Sequence, residues 1–330
     1  MNPRRNLCTV LLAALLLAPT ARAESEIAQQ WKHEWPQTDF SRTTVDLSEI
    51  ISGGPPKDGI PSIDDPSFIP VAEATELAPQ EPVLSLVIAG EARAYPLRVM
   101  MWHEIVNDVV AGTPVTVTYC PLCNTGIVFD RRLDDRTLDF GTTGKLRHSD
   151  LVMYDRQTES WWQQFGGQAI VGELAGRTLR MLPSRLESWE SFRERAPKGR
   201  ILVPNDPHSR AYGSNPYVGY DQAPRPFLFT GDLPENVPAM MRVVVVGKEA
   251  WALPLIRAER TVRAGDLSIA WRPGQVSALD TADITHGADV GNVVVQRDGE
   301  DVPHTVTFAF AFFAFEPDGV LHTEEGPVRQ

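Results

Sequence analysis

Residues 87–97, VIAGEARAYPL, return at residues 245–255 as VVGKEAWALPL, matching Glu91 to Glu249, Ala92 to Ala250, Ala94 to Ala252 and Pro96 to Pro254 at constant spacing. A little farther on, VTVTYCPLC (115–123) corresponds in position to LSIAWRPGQ (267–275), where Arg272-Pro273 stand in for Cys120-Pro121. Self-similarity of this kind reports the architecture rather than a single element. It predicts a degenerate internal duplication, two related β units packed into one pseudosymmetric core, with the cysteine chemistry kept in the first copy.

The units should be built of short strands. The 27 Pro and 24 Gly punctuate the chain too often for a helical bundle, so the expected class is β-rich α+β. PVLSLVIAG (82–90) reads as a strand, and RVMMWHEIVNDVVAG (98–112) as a helix whose Val99, Trp102, Ile105, Val106 and Val109 follow helical spacing. PVTVTYC then reads as a strand ending on Cys120, and GIVFDRRL as the strand that leaves. Residues 24–80 are Pro- and Asp-rich. Ile60, Ile63, Phe68 and Ile69 recur there, which predicts an ordered, turn-dense segment packed on the core. The first unit is then expected over residues 81–225 and the degenerate one over 226–330.

The first 23 residues read as a secretory signal peptide. Arg4 and Arg5 precede an apolar run from Leu7 to Ala18, and Ala21-Arg22-Ala23 supplies an A-x-A cleavage signal, so a periplasmic or secreted protein is expected. That run is short of the ~18 residues a span needs, and FAFAFFAF (308–315) is strand-length, so no stable membrane insertion is expected. Cleavage removes three arginines and no acid, taking the formal net charge from −12 to −15. A charge of that sign disfavours nucleic acid or an anionic membrane surface as partner. Cys8 leaves with the leader, and two cysteines remain.

Cys120 and Cys123 admit three readings: a disulfide, a redox pair, or half of a metal site. A bridge across two residues closes a tiny loop and removes little unfolded-state entropy, which makes a purely structural staple a weak explanation. In thioredoxin-like proteins the C-x-x-C opens a helix whose dipole stabilises a thiolate. Here Cys123 is followed by the turn signal NTG and the β-like IVFD. A C-P-x-C turn between strands looks instead like the knuckle of rubredoxins and zinc ribbons, though a second knuckle is missing. Other ligands would come from His, Met, carboxylate, solvent or substrate.

His103 is the expected third ligand, with Asn107 one helical turn away to orient its ring. HEIVN lacks the second His of a zincin helix, and GTTGK (141–145) lacks phosphate-loop spacing. Residues 140–176 add His148, Met153, Tyr154, Asp155 and the pair Trp161-Trp162. Met with thiolate suits Cu(I), and imidazole suits copper or zinc. Each also has a plainer reading: Met153 in the core, the two tryptophans split between core and surface, Asp155-Arg156 as a turn ion pair. The sequence does not constrain acid–base chemistry on Glu104 or Asp155.

DGIPSIDDPSF, YPLRVMMWHEIVND, VTYCPLCNTGIVFDR, SDLVMYDRQTESWWQQFGGQAIVGELAG, AYGSNPYVGYD and FAFAFFAFEPD cover most of the chain after the leader. In these blocks the protein resembles a large exported bacterial and archaeal family catalogued as a domain of unknown function (number 3179), with W-H-E-x-x-N-D and C-P-L-C signatures. The resemblance brings no settled activity. It implies that Trp102, His103, Glu104, Asn107, Asp108, Tyr119, Cys120, Cys123, Asp155, Trp161 and Tyr217 occupy signature positions. The chain departs at His148, where Asn is expected more often, which demotes His148 as a ligand.

These observations favour a metal-binding protein in which Cys120, Cys123 and His103 hold one copper or zinc ion. Trp102, Glu104, Asn107, Asp108, Tyr119, Met153, Asp155 and Trp161 would support the ion or its ligand. Such a protein would be a small redox metalloenzyme or a metal-handling protein, and its partner a small molecule or a metal-delivery protein. Two other readings stay open: a thiol–disulfide protein cycling Cys120 and Cys123, and a non-catalytic scaffold whose Trp- and Tyr-rich loops carry a carbohydrate or protein ligand.

Overall fold

The computed structural model describes Glu26 and residues 28–330, so the expected leader and Cys8 lie outside the described residues. Runs rich in β-branched residues form short strands. These assemble into five sheets of four or five strands in a propeller-like arrangement, with a two-stranded ribbon beside them. Helices are short. Four of them span seven residues each: Leu97–His103, Trp189–Arg195, Leu253–Glu259 and Ala309–Phe315. None in the described residues is long and apolar enough to cross a membrane.

The two similar sequence blocks occupy similar places. Pro82–Ile88 turns into Glu91–Pro96, the helix Leu97–His103 follows, and Ile105–Val110 leads into Thr113–Cys120. Arg242–Val246, Glu249–Ala252, Leu253–Glu259, Thr261–Ala264 and Leu267–Arg272 repeat that order. In each set the second strand gains a parallel neighbour, Arg200–Val203 in one and Val320–Thr323 in the other. The residue after each helix is left-handed, Glu104 at φ 58° and Arg260 at φ 61°. Its carbonyl accepts the amide of an aromatic residue, Tyr119 or Trp271. Cys120 and Arg272 therefore coincide, whereas Pro96 and Pro254 do not. Pro96 precedes its helix and Pro254 lies within the first turn, because the strand ahead of the helix is six residues long in one set and four in the other.

Two elements differ from expectation. The helix expected over 98–112 stops at His103, and Ile105–Val110 is a strand paired antiparallel to Thr113–Cys120. The β-branched pairs Ile105-Val106 and Val109-Val110 suit a strand, and left-handed Glu104 breaks the helix with its amide still bonded to Met100 O. His103 and Asn107 are therefore not one helical turn apart. FAFAFFAF is likewise not a strand. Ala309–Phe315 is a helix whose Phe310, Phe312 and Phe313 are buried, as expected of a helix that is apolar all round.

One large core takes residues from both halves, among them Leu84, Tyr119, Cys123, Trp162, Val244 and Phe308. A second core lies under the N-terminal segment, where Trp161 meets Trp31, Trp35 and Phe40 at ring separations of 5.1–5.2 Å. The strand Trp161–Gln163 is thus covered on both faces. Trp161 and Trp162 point into different cores and both are fully buried, so neither is the surface residue expected of the pair. Lys57 fastens the N-terminal segment, with Nζ 2.6 Å from the Glu159 carboxylate and over the rings of Trp35 and Tyr154 at 4.3 and 4.8 Å.

Candidate metal centre

Thr113–Cys120 and Thr125–Asp130 form a hairpin whose last paired residues are Cys120 and Thr125. Pro121, Leu122, Cys123 and Asn124 make the loop, closed by Asn124 N donating to Pro121 O, with Asn124 in the left-handed region at φ 53°. A loop this tight leaves both cysteine side chains on one small patch. They are free and buried. The second half pins the loop from outside, because Thr307 Oγ1 and Phe308 N both donate to Cys123 O, at 2.9 and 3.3 Å.

The third group is Asp150. It follows a two-residue hairpin turn, His148-Ser149, whose residues both have positive φ, 51° and 67°. Such a turn favours Asn and Gly, which gives a physical reason for Asn to be expected at 148. His148 itself lies 3.5 Å from Glu49 and tilts against Phe229 and Phe315. The turn sets Ser149 O 3.7 Å from the Cys120 thiol and sends the Asp150 carboxylate toward both cysteines. One ligand atom each from Cys120, Cys123 and Asp150 lies within 4.8 Å of the other two. Gln163 Nε2 and Phe165 N donate to Asp150 Oδ2 at 2.6 and 2.8 Å and fix its orientation.

The site is short of positive charge. Burial pushes the Cys120 thiol up and the Cys123 thiol well above the usual range. Asp150 rises to about 6, burial outweighing the help of Phe165, Gln163 and the thiols. Glu104 rises to about 8 through burial and then the charge of Asp150. A thiol whose pKa is raised is a poor nucleophile at neutral pH, which disfavours disulfide exchange. A bound cation would favour the charged form of each of these groups; two thiolates suit zinc or Cu(I), and the added carboxylate fits zinc better than soft Cu(I).

Cys120 and Glu104 also line a cavity of about 160 Å³. Leu122, Leu146, Leu151, Phe227 and Leu228 supply apolar walls, and Tyr217 lies beside the polar end. Lys145 lines it too, but its Nζ lies 3.1 Å from Glu34. Gly144 is required at the rim. Its φ is 69°, and a Cβ there would sit 1.9 Å from Pro55 O.

The other expected site residues have different employment. His103 is not with the cysteines, since its Nδ1 meets Pro61 O and its Nε2 meets Tyr212 Oη, each at 2.8 Å. Asn107 lies in a strand and bonds Asp64 and both backbone groups of Phe140, so it does not orient the His103 ring. Asp108 accepts from Tyr95 Oη at 2.6 Å. Tyr119 is buried with its hydroxyl 3.5 Å from Asn124. Trp102 is half-buried against the main core, and Met153 is fully buried in it. Asp155 is not ion-paired with Arg156. It accepts from Trp162 Nε1 and from Thr158, while Arg156 pairs with Asp58 and Asp64. Asp150 went unnoticed because nothing marks it locally except an acid at the head of the apolar run LVMY.

No curated protein and no solved structure matches the chain. A family model does, over residues 57–319, which includes the hairpin loop, Asp150 and both halves of the core. The chain belongs to the family described as Protein of unknown function (DUF3179).

Proposed function

We propose that this is a metal-binding protein in which Cys120, Cys123 and Asp150 hold one zinc or copper ion. The observation that carries the reading is the convergence of three buried donor atoms within 4.8 Å of one another. Three protein ligands beside a cavity match the donor count of metal sites that keep a position for substrate or solvent. Thr307 and Phe308 hold the loop from behind, which supports a preset rather than a floppy chelate. The same proposal includes export after cleavage near Ala23, and an origin of the core in duplicated units over 81–225 and 226–330. It also includes exchange of the ion with a small molecule or a delivery partner.

The test is elemental analysis of protein purified without added metal, with a thiol count under denaturing conditions. About one equivalent of zinc or copper is expected, falling at least tenfold in Cys120→Ser, Cys123→Ser and Asp150→Asn. Full metal in the double cysteine variant refutes the site. A wild type with neither metal nor free thiols makes the pair a disulfide.

A further inference from the structure

The Glu104 carboxyl opens on the cavity with no partner from the protein. Its residue is 8% exposed, it lines the cavity, and among the described residues no hydrogen bond or ion pair reaches its carboxylate. Burying a polar group without a partner costs free energy, and a carboxyl is among the costliest. The backbone does not explain its presence. Arg260 occupies the equivalent place with the same left-handed φ and the same bond from its carbonyl to the next aromatic residue. Arg260 is exposed there, its guanidinium 4.7 Å from the centre of the Trp271 ring, whereas Glu104 is turned inward onto the cavity. The fold therefore asks for a left-handed residue at 104 but not for an acid.

The surroundings indicate what the acid faces. The Tyr217 hydroxyl, near enough to Glu104 and Cys120 to feel their charges, has no hydrogen-bond partner among the described residues. Phe227 and Leu228 stand at the mouth, 52% and 46% exposed. Ser149 Oγ donates to Phe227 O, and Phe227 N donates to Tyr220 Oη. The one basic side chain in the lining, Lys145, is committed to Glu34. A buried carboxyl, aromatic faces and aliphatic walls with no available cation repel an organic anion and attract an ammonium group. The cavity volume suits a body of a few carbons, since a water claims about 30 Å³ of liquid.

We propose that this cavity binds a small primary alkylamine, its ammonium on Glu104 and Tyr217 and its short chain against Leu122, Leu146, Leu151 and Phe227. The proposal goes beyond the metal site and does not need the ion, because Glu104 lies outside the three-donor group. Isothermal titration calorimetry at about pH 9, above the value of about 8 to which burial lifts the Glu104 carboxyl and below that at which an alkylammonium loses its proton, tests it with n-butylammonium chloride, with 1-butanol and sodium butyrate as probes of the same shape at constant ionic strength. The amine is expected to bind at least about tenfold more tightly than the alcohol, with butyrate weaker still. Glu104→Gln should remove that preference and Leu151→Trp, which fills the cavity, should abolish binding, while Cys123→Ser, outside the cavity lining, keeps it. Equal binding of amine and alcohol, no binding of the amine, or an unchanged preference in a folded Glu104→Gln protein overturns the proposal. Metal analysis of the same samples keeps the two questions apart, because Glu104→Gln should retain the ion and Cys123→Ser should lose it.

Discussion

Glu104→Gln should change how stability depends on pH, with a sign and an order of magnitude that follow from the burial of its carboxyl. The Glu104 carboxyl starts from 4.5 in an open chain and rises to about 8 in the fold, chiefly through burial. An acid whose folded pKa exceeds its unfolded one takes up a proton on folding. Its native form is therefore favoured below about 4.5 and progressively penalised as pH climbs toward about 8. At 1.36 kcal/mol per pH unit, wild-type protein should lose about 3 kcal/mol between pH 5 and 7.5 through this group alone. Glutamine has no proton to exchange, so the variant should lack that component; groups that do not feel Glu104 cancel in the difference, and its coupling to Asp150 adds a smaller term than burial does. Urea unfolding followed by tryptophan fluorescence, on reduced and chelator-treated protein, measures both stabilities. The wild type should lose ground to the variant by about 3 kcal/mol across that interval. Parallel pH profiles for the two proteins would refute the reasoning, because they would mean that Glu104 is ionised in the native state and has a partner.

His103→Ala should leave the metal content of the protein unchanged while lowering its stability by about 1–2 kcal/mol, since the ring joins Pro61 O to Tyr212 Oη; elemental analysis and thermal unfolding read the two effects separately. Lys57→Met strands the Glu159 carboxylate, whose side chain is 9% exposed, and should cost about 3 kcal/mol. Pairing it with Glu159→Gln should recover part of that loss in melting temperature, and no recovery would mean that the stacking of Lys57 on Trp35 and Tyr154 outweighs the ion pair.

The hairpin that carries the cysteines was legible because its signals are local. VTVTYC alternates as a strand, NTG marks a turn, and the loop is complete within ten residues. The limit of the first helix was not. Ile105, Val106 and Val109 fit a helical stripe as well as a strand, and the deciding feature is one left-handed residue, Glu104, that is not a glycine. The helix limit displaces Asn107 from the face of His103, while His103 keeps its helix and simply turns to Pro61 and Tyr212. Asp150 failed for the opposite reason. It is 27 residues from Cys123 in the chain and reaches it only through the pairing of Phe140–Arg147 with Asp150–Asp155, which no local pattern records. Trp161 and Trp162 were both buried because the N-terminal segment covers a sheet face that would otherwise meet water.

The two blocks of like element order separate what the backbone requires from what the cavity adds. Glu104 and Arg260 share a backbone conformation and a hydrogen bond, and Cys120 and Arg272 share a strand end followed by proline. Arg260 rests on a ring, and Arg272 donates to Ser191 Oγ at 2.7 Å, so both second-half residues are satisfied. In the first half the same two positions carry an acid without a partner and a thiol whose proton affinity burial has raised. Stability alone offers no reason to prefer the acid, because an unpartnered buried carboxyl costs free energy that the exposed Arg260 avoids. That cost, on a cavity shared with the Cys120 thiol and absent at the exposed arginines of the second block, is the ground on which a cationic ligand is proposed there.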